Sequence, residues 1–190
     1  SFFRFWTRQA EARPFVTIAA TEACLSACGD LIAQTIGKHL PSNRHEKETD
    51  KEEHSKGYDL HRTLRFVFFS MCVSPIGVRW HRFLDRRFPI RSQTACIAAA
   101  QVGKRLLCDL LFYEPTMYAL FFSSMAFLEG GSLSDAKFRL STLLLPTYLT
   151  GLTISPIIQT VNFAFVPLIY RVPFSSCFDL FWDSYLSWVN

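Results

Sequence analysis

The sequence predicts an all-α integral membrane protein: one membrane domain over residues 1–190, a bundle of four main transmembrane helices with an amphipathic N-terminal helix and a short C-terminal helix. Three observations predict it. From Leu140 to Tyr170 there is no formal charge, although Pro146, Pro156, Pro167, Gln159 and Asn162 lie inside; roughly twenty apolar residues cross a bilayer core, so this stretch is long enough to span while bent. The composition, 49% hydrophobic and 15% aromatic with 19 Phe, is richer in large apolar side chains than a soluble core of this size requires. The charges, 19% of residues, must then collect in loops, at interfaces or along an interior path.

Ser1 to Arg13 carries Arg4, Arg8 and Arg13 against Glu11, with Phe2, Phe3, Phe5 and Trp6 on its apolar side. That pattern suits an interfacial helix, and it is not a secretory signal, having no apolar core followed by a small-residue cleavage site. Phe15 to Ile36, rich in Ala, Thr and Cys and interrupted by Glu22 and Asp30, is the first span; small residues let membrane helices approach closely. Residues 38–57 lose nearly every large apolar side chain and mix both signs of charge, the composition of a flexible polar connector with no nucleic-acid tail in it.

The second span is expected from Leu64 to about Trp80, ending in a cationic joint of Arg79, Arg82, Arg86, Arg87 and Arg91. By the positive-inside bias this joint lies on the side of insertion, and Arg82, Arg86, Arg87 and Arg91 are candidates to contact anionic lipid headgroups such as cardiolipin. With four spans centred near residues 25, 72, 110 and 155, the basic N-terminus falls on the same side, and the Glu129 to Asp135 joint, without an Arg excess, on the other. The third block, Thr94 to Leu128, holds Lys104, Arg105, Asp109 and Glu114. Gln101, Arg105 and Asp109 recur every four residues and form a polar stripe in which Arg105 can pair with Asp109; ionisable residues within a span are candidate functional sites because they are costly unless paired or hydrated. The plainer reading is a salt bridge fixing helix register. The Glu114–Pro115 step marks a kink. In the fourth span Gln159 and Asn162 share a helix face, and unpaired amides are costly in lipid, so both should face the same interior as Asp109. Trp182, Tyr185 and Trp188 suit the headgroup level in a short terminal helix.

Other chemistry finds little footing. The six cysteines (Cys24, Cys28, Cys72, Cys96, Cys108, Cys177) lack paired metal spacings and read as buried free thiols. His39, His45 and His54 lie in polar surroundings without Cys partners, giving no metal site. There is no phosphate-cradling glycine loop or other cofactor motif. Ser70, Ser74 and His81 make a nucleophile and base on paper only; no catalytic residue is assigned, because span serines more often bond their own backbone.

The segment Asp59-Leu-His-Arg62-Thr-Leu-Arg65, Pro75 with Trp80 and Leu84, Arg105 with Asp109 and Pro115, and above all Pro156-Ile-Ile-Gln159-Thr-Val-Asn162-Phe163 through Val166-Pro167 to Arg171, then Trp182 to Trp188, resemble the Mpv-seventeen family of mitochondrial and peroxisomal membrane proteins. Gly29-Asp30 also fits, which adds Asp30 to the interior polar set. Ser74, Leu110, Gly151, Leu152 and Ser155 depart from the family's usual residues, two amides and two large aromatics being lost. The resemblance implies a four-helix organelle membrane protein, in mitochondria an inner-membrane protein that forms a weakly selective pore. On the residues, three readings stay open: a solute path lined by Arg105, Asp109, Gln159 and Asn162; a non-catalytic accessory subunit of a larger mitochondrial membrane complex, or a homo-oligomer, in which the same residues lock the helices; and the paper enzyme. The mitochondrial inner membrane is favoured over the peroxisome by the Arg-bearing N-terminus and by an ending, Trp188-Val189-Asn190, that is no Ser-Lys-Leu address.

Overall fold

A computed structural model describes residues 2–39, 58–90 and 95–189, with side chains placed over 4–35, 58–90 and 95–180. The described residues are helical with no strand: α1 (Phe2–Ala12), α2 (Pro14–His39), α3 (Leu60–Arg87), α4 (Ala95–Cys108), a π-helical turn (Asp109–Tyr113), α5 (Glu114–Leu128), α6 (Leu133–Gly151), α7 (Ser155–Phe165), a 3-10 turn (Leu168–Tyr170) and α8 (Arg171–Val189). α2 packs along both α3 and α8, α5 along α6, and α4 against α7. Among the described residues one helix, over Pro14–Thr35, is by itself long and apolar enough to cross a membrane; α6 and α7 make a second crossing if taken as one span bent by 59°.

Several expected boundaries move. The polar connector expected over 38–57 lies outside the described residues except for Lys38 and His39, which continue α2. α3 begins before Leu64 because Asp59 caps it, its carboxylate accepting from the Arg62 amide at 3.0 Å, and it runs past Trp80 to Arg87, so Arg79, Arg82, Arg86 and Arg87 stand on the helix itself. The expected helix centred near residue 155 is instead a break: after Gly151 the Ile154 amide turns back to the Gly151 carbonyl at 3.0 Å, and Pro156 sits in the first turn of α7, where an amide hydrogen is not needed. Pro156 therefore frees no carbonyl inside a helix.

That consequence falls on Pro115. The Glu114 amide bonds the Asp109 carbonyl, five residues back, which leaves the Leu110 carbonyl to the next residue, a proline with no hydrogen to give. The Tyr148 hydroxyl on α6 takes its place, donating to Leu110 at 2.9 Å. The π turn thus follows from the sequence step Glu114–Pro115 and is closed from a neighbouring helix.

The C-terminal helix is not short. α8 starts at Arg171 and runs parallel to α2: Ser176 donates to Glu22, and one turn further Leu180 fills the space where Gly29 lacks a side chain, its Cγ 3.3 Å from the point a Cβ would occupy. The side chains of Trp182, Tyr185 and Trp188 lie outside the described ones. α1 packs back onto the bundle, Trp6 Nε1 donating to Thr21 at 2.9 Å and its ring stacking on Tyr170 at 5.2 Å.

Many large apolar side chains are exposed, and several polar and charged ones are buried. Phe165 is 80% exposed, Phe138 69% and Ile157 68%, while Arg105, Asp109 and Asn162 are fully buried. All six cysteines are unpaired, but none is buried, against the expectation of a thiol core; apolar side chains line the outside of this molecule, and its small thiols stand with them.

Removing the Tyr148 hydroxyl should strand the Leu110 carbonyl. Tyr148→Phe is expected to lower stability by about 1–3 kcal/mol, read by thermal unfolding in detergent, whereas Tyr170→Phe, whose hydroxyl meets Thr7, should cost less because neither group is an orphaned backbone carbonyl.

Candidate functional site

A cavity of about 450 Å³ lies between α2, α3, α5, α6, α7 and α8. Its walls are largely aromatic and aliphatic, from Phe66 and Phe69 on α3 and Phe121 and Phe122 on α5. Polar groups enter from different helices: Glu22 from α2, Ser70, Ser74 and His81 from α3, Glu114 and Tyr118 from α5, Gln159 from α7, and Ser176 and Asp179 from α8. Glu22 is 8% exposed; one carboxylate oxygen accepts from Ser176, and Oε1 has no hydrogen-bond partner. Glu114 Oε2 and His81 Nδ1 likewise have none.

Only Gln159 of the expected path-lining set lies in this wall. Arg105 and Asp109 are both fully buried, yet they do not pair with each other. Arg105 reaches past its own helix to the end of α3, where the last carbonyls of a helix lack intrahelical donors; its Nε and Nη2 donate to Phe88 at 2.9 and 2.7 Å, and Nη2 meets Asp85 at 2.9 Å. Asp109 turns within the π turn toward α3 and accepts from Trp80 Nε1 at 2.7 Å, and the Trp80 ring stacks on Tyr113 at 5.4 Å. The cross-helix contacts serve the Phe88 carbonyl and the Trp80 N–H, while Arg105 Nη1 and Asp109 Oδ2 keep no hydrogen-bond partner.

Asn162 is fully buried and bonds Gln159 at 3.1 Å and Ser175 at 2.8 Å. The amides thus meet as the shared helix face predicts, but Asn162 and Asp109 are outside the cavity wall that holds Gln159. Asp30 joins α2 to α3, with Arg62 at 2.9 Å, Thr63 at 2.5 Å and Gln34 at 2.8 Å. Ser70 and Ser74 line the cavity, yet each hydroxyl donates to its own helix, to Phe66 at 3.0 Å and Met71 at 3.3 Å.

Of the headgroup candidates, Arg86 and Arg87 are exposed in the last turn of α3, and Arg82 is half-buried, its guanidinium 5.2 Å from the Phe15 ring centre. Arg91 lies outside the described residues.

Glu22 and Glu114 carry the site, although spacing along the sequence does not single them out. Both are charges inside apolar stretches, the same signal that marks Arg105 and Asp109, but they lack the regular four-residue recurrence of that stripe. Which acids face a common space depends on helix rotation, which spacing along one helix does not report.

The Asp85 carboxylate also meets Arg171 at 3.5 Å. Asp85→Asn leaves two guanidiniums without their shared anion and is expected to destabilise the fold by about 1–3 kcal/mol, below the roughly 3–5 of a fully buried pair because its side chain is 44% exposed. Thermal unfolding of Asp85→Asn beside Glu11→Gln, an exposed acid on α1, measures it.

Residues 126–187 match the model of the Mpv17 / PMP22 family. Protein SYM1 of Gibberella zeae is 34% identical over the whole chain and 98% of its own length, and Protein SYM1 of Eremothecium gossypii 34% identical over the whole chain and 96% of its length. Protein SYM1 of Saccharomyces cerevisiae is 31% identical over 94% of this chain and 84% of its own. No solved structure matches. With relatives similar from end to end and the family model lying over α6, α7 and α8, the chain belongs to the Mpv17 / PMP22 family.

Proposed function

We propose that this protein is an integral membrane protein of the mitochondrial inner membrane in which four main spans, α2, α3, α4 with α5, and the bent pair α6–α7, surround a weakly selective solute path, with α8 as a further wall. The cavity carries this reading: carboxylates and an amide from separate helices converge on one space inside a molecule whose outside is apolar. In a bilayer, polar groups of this kind are tolerated where they face protein or a water-filled space. The lining assigned to the path is Glu22, Glu114 and Gln159, in place of Arg105, Asp109 and Asn162.

The crossing number is supported by which joints meet. Tyr170 lies against Trp6 of α1, and Arg171 against Asp85 near the end of α3, so α1, the α3–α4 joint and the α7–α8 joint sit at one end, as an even number of crossings between them requires. Arg86 and Arg87 are at that end and suit the anionic headgroups of the matrix-side leaflet, cardiolipin among them. Membership of the family supports the organelle.

A second reading has its own observation. Arg105, Asp109, Asn162 and Asp30 are each engaged across helices, the arrangement of an internal lock, and a non-catalytic accessory subunit of a larger membrane complex needs no more than that.

Conductance separates them. Purified protein in cardiolipin-containing liposomes should pass small solutes, and Glu114→Gln and Gln159→Leu should change conductance or ion preference while helical content is kept. A wild-type protein that conducts nothing overturns the path and leaves the accessory subunit.

A further inference from the structure

We propose that the cavity is a binding site for a small organic ammonium ion carrying an apolar body. The inference rests on the solute-path reading and names the class of solute. Sign comes first. The ionisable side chains in the wall are Glu22, Glu114, Asp179, His81, Tyr113 and Tyr118, with no Lys or Arg among the described lining residues; Arg105 and Arg171, the buried guanidiniums nearest in the fold, are turned to Asp85.

The second observation is unfilled bonding capacity. Glu22, 8% exposed, keeps Oε1 without a partner, and Glu114 Oε2 is a second free acceptor in the same wall; His81, 3% exposed, also has no partner at Nδ1. A buried carboxylate oxygen left alone is costly, and an ammonium group with its N–H donors supplies both charge and hydrogen bonds.

The walls decide between an organic and an inorganic cation. Phe66, Phe69 and Phe122 each lie 5.4–5.8 Å from the Phe121 ring, an aromatic cluster that would face bare water if the occupant were a hydrated metal ion. Ring faces attract ammonium groups and accept apolar bodies. A space of about 450 Å³ is also in the range of small-molecule pockets, roughly 300–1,000 Å³, and among the described residues no three His, Cys, Asp or Glu side chains are grouped to hold a metal.

The test uses the full-length protein in phosphatidylcholine nanodiscs and three probes of one shape: 2-phenylethylammonium, neutral 2-phenylethanol and anionic phenylacetate. Calorimetry should show the ammonium binding at least about tenfold tighter than the alcohol, as expected for a hydrogen bond to a charged group, with phenylacetate weakest. Glu22→Gln, nearly isosteric and still able to meet Ser176, should lose that advantage and keep the alcohol's affinity. Since the probe series runs on the unaltered protein, misfolding of the variant does not spoil it. Equal affinities, tighter binding of the acid, or no binding of any probe overturns the site. Liposome conductance separates the two ideas: ammonium binding without conductance retains the site and removes the path, and conductance without discrimination retains the path and removes the site.

Discussion

The Asp85 carboxylate, shared by Arg105 and Arg171, is the contact on which the helix arrangement depends. It stands near the end of α3 and draws in one guanidinium from α4 and another from the start of α8, while the same Arg105 satisfies the Phe88 carbonyl. Arg171 also donates to Val166 at 3.1 Å, so the chain leaving α7 is held at the same place. Buried guanidiniums are costly unless paired, and a geometry that brings two of them to one carboxylate is more specific than apolar packing, which in lipid has little to gain from choosing protein over acyl chains.

With that end clamped, the π turn sets the rotation of α5. Pro115 cannot donate, the Glu114 amide reaches one residue further back, and α5 leaves the turn rotated relative to α4. Asp109 consequently faces Trp80, and Glu114 faces the cavity. The two acids on either side of this turn therefore serve different ends, Asp109 a structural contact and Glu114 the candidate site.

Glycines handle the close approaches. Gly29 leaves the room that Leu180 occupies, which lets α8 lie along α2 and bring Ser176 to Glu22. At Gly151, a Cβ would stand 2.7 Å from the Tyr118 hydroxyl, so a side chain here would require that hydroxyl to shift.

The sequence by itself determined the helical class, the apolar exterior and the family. Uncharged length, clustered Arg residues and a run of motif residues are properties of the chain that no packing detail alters. It also marked Arg105, Asp109 and Asn162 as inward-facing, because polar groups inside apolar stretches are costly in lipid, but not Glu22, His81 or Arg171, which are buried as well. Tertiary structure alone decided their partners. An Arg side chain is long enough to reach an intrahelical acid or a neighbouring helix end, and only the position of Phe88 and Asp85 selects between them. The same holds for the length of α8 and for the convergence of Glu22, Glu114 and Gln159 on one cavity, since which faces of six helices meet is a property of their relative rotation.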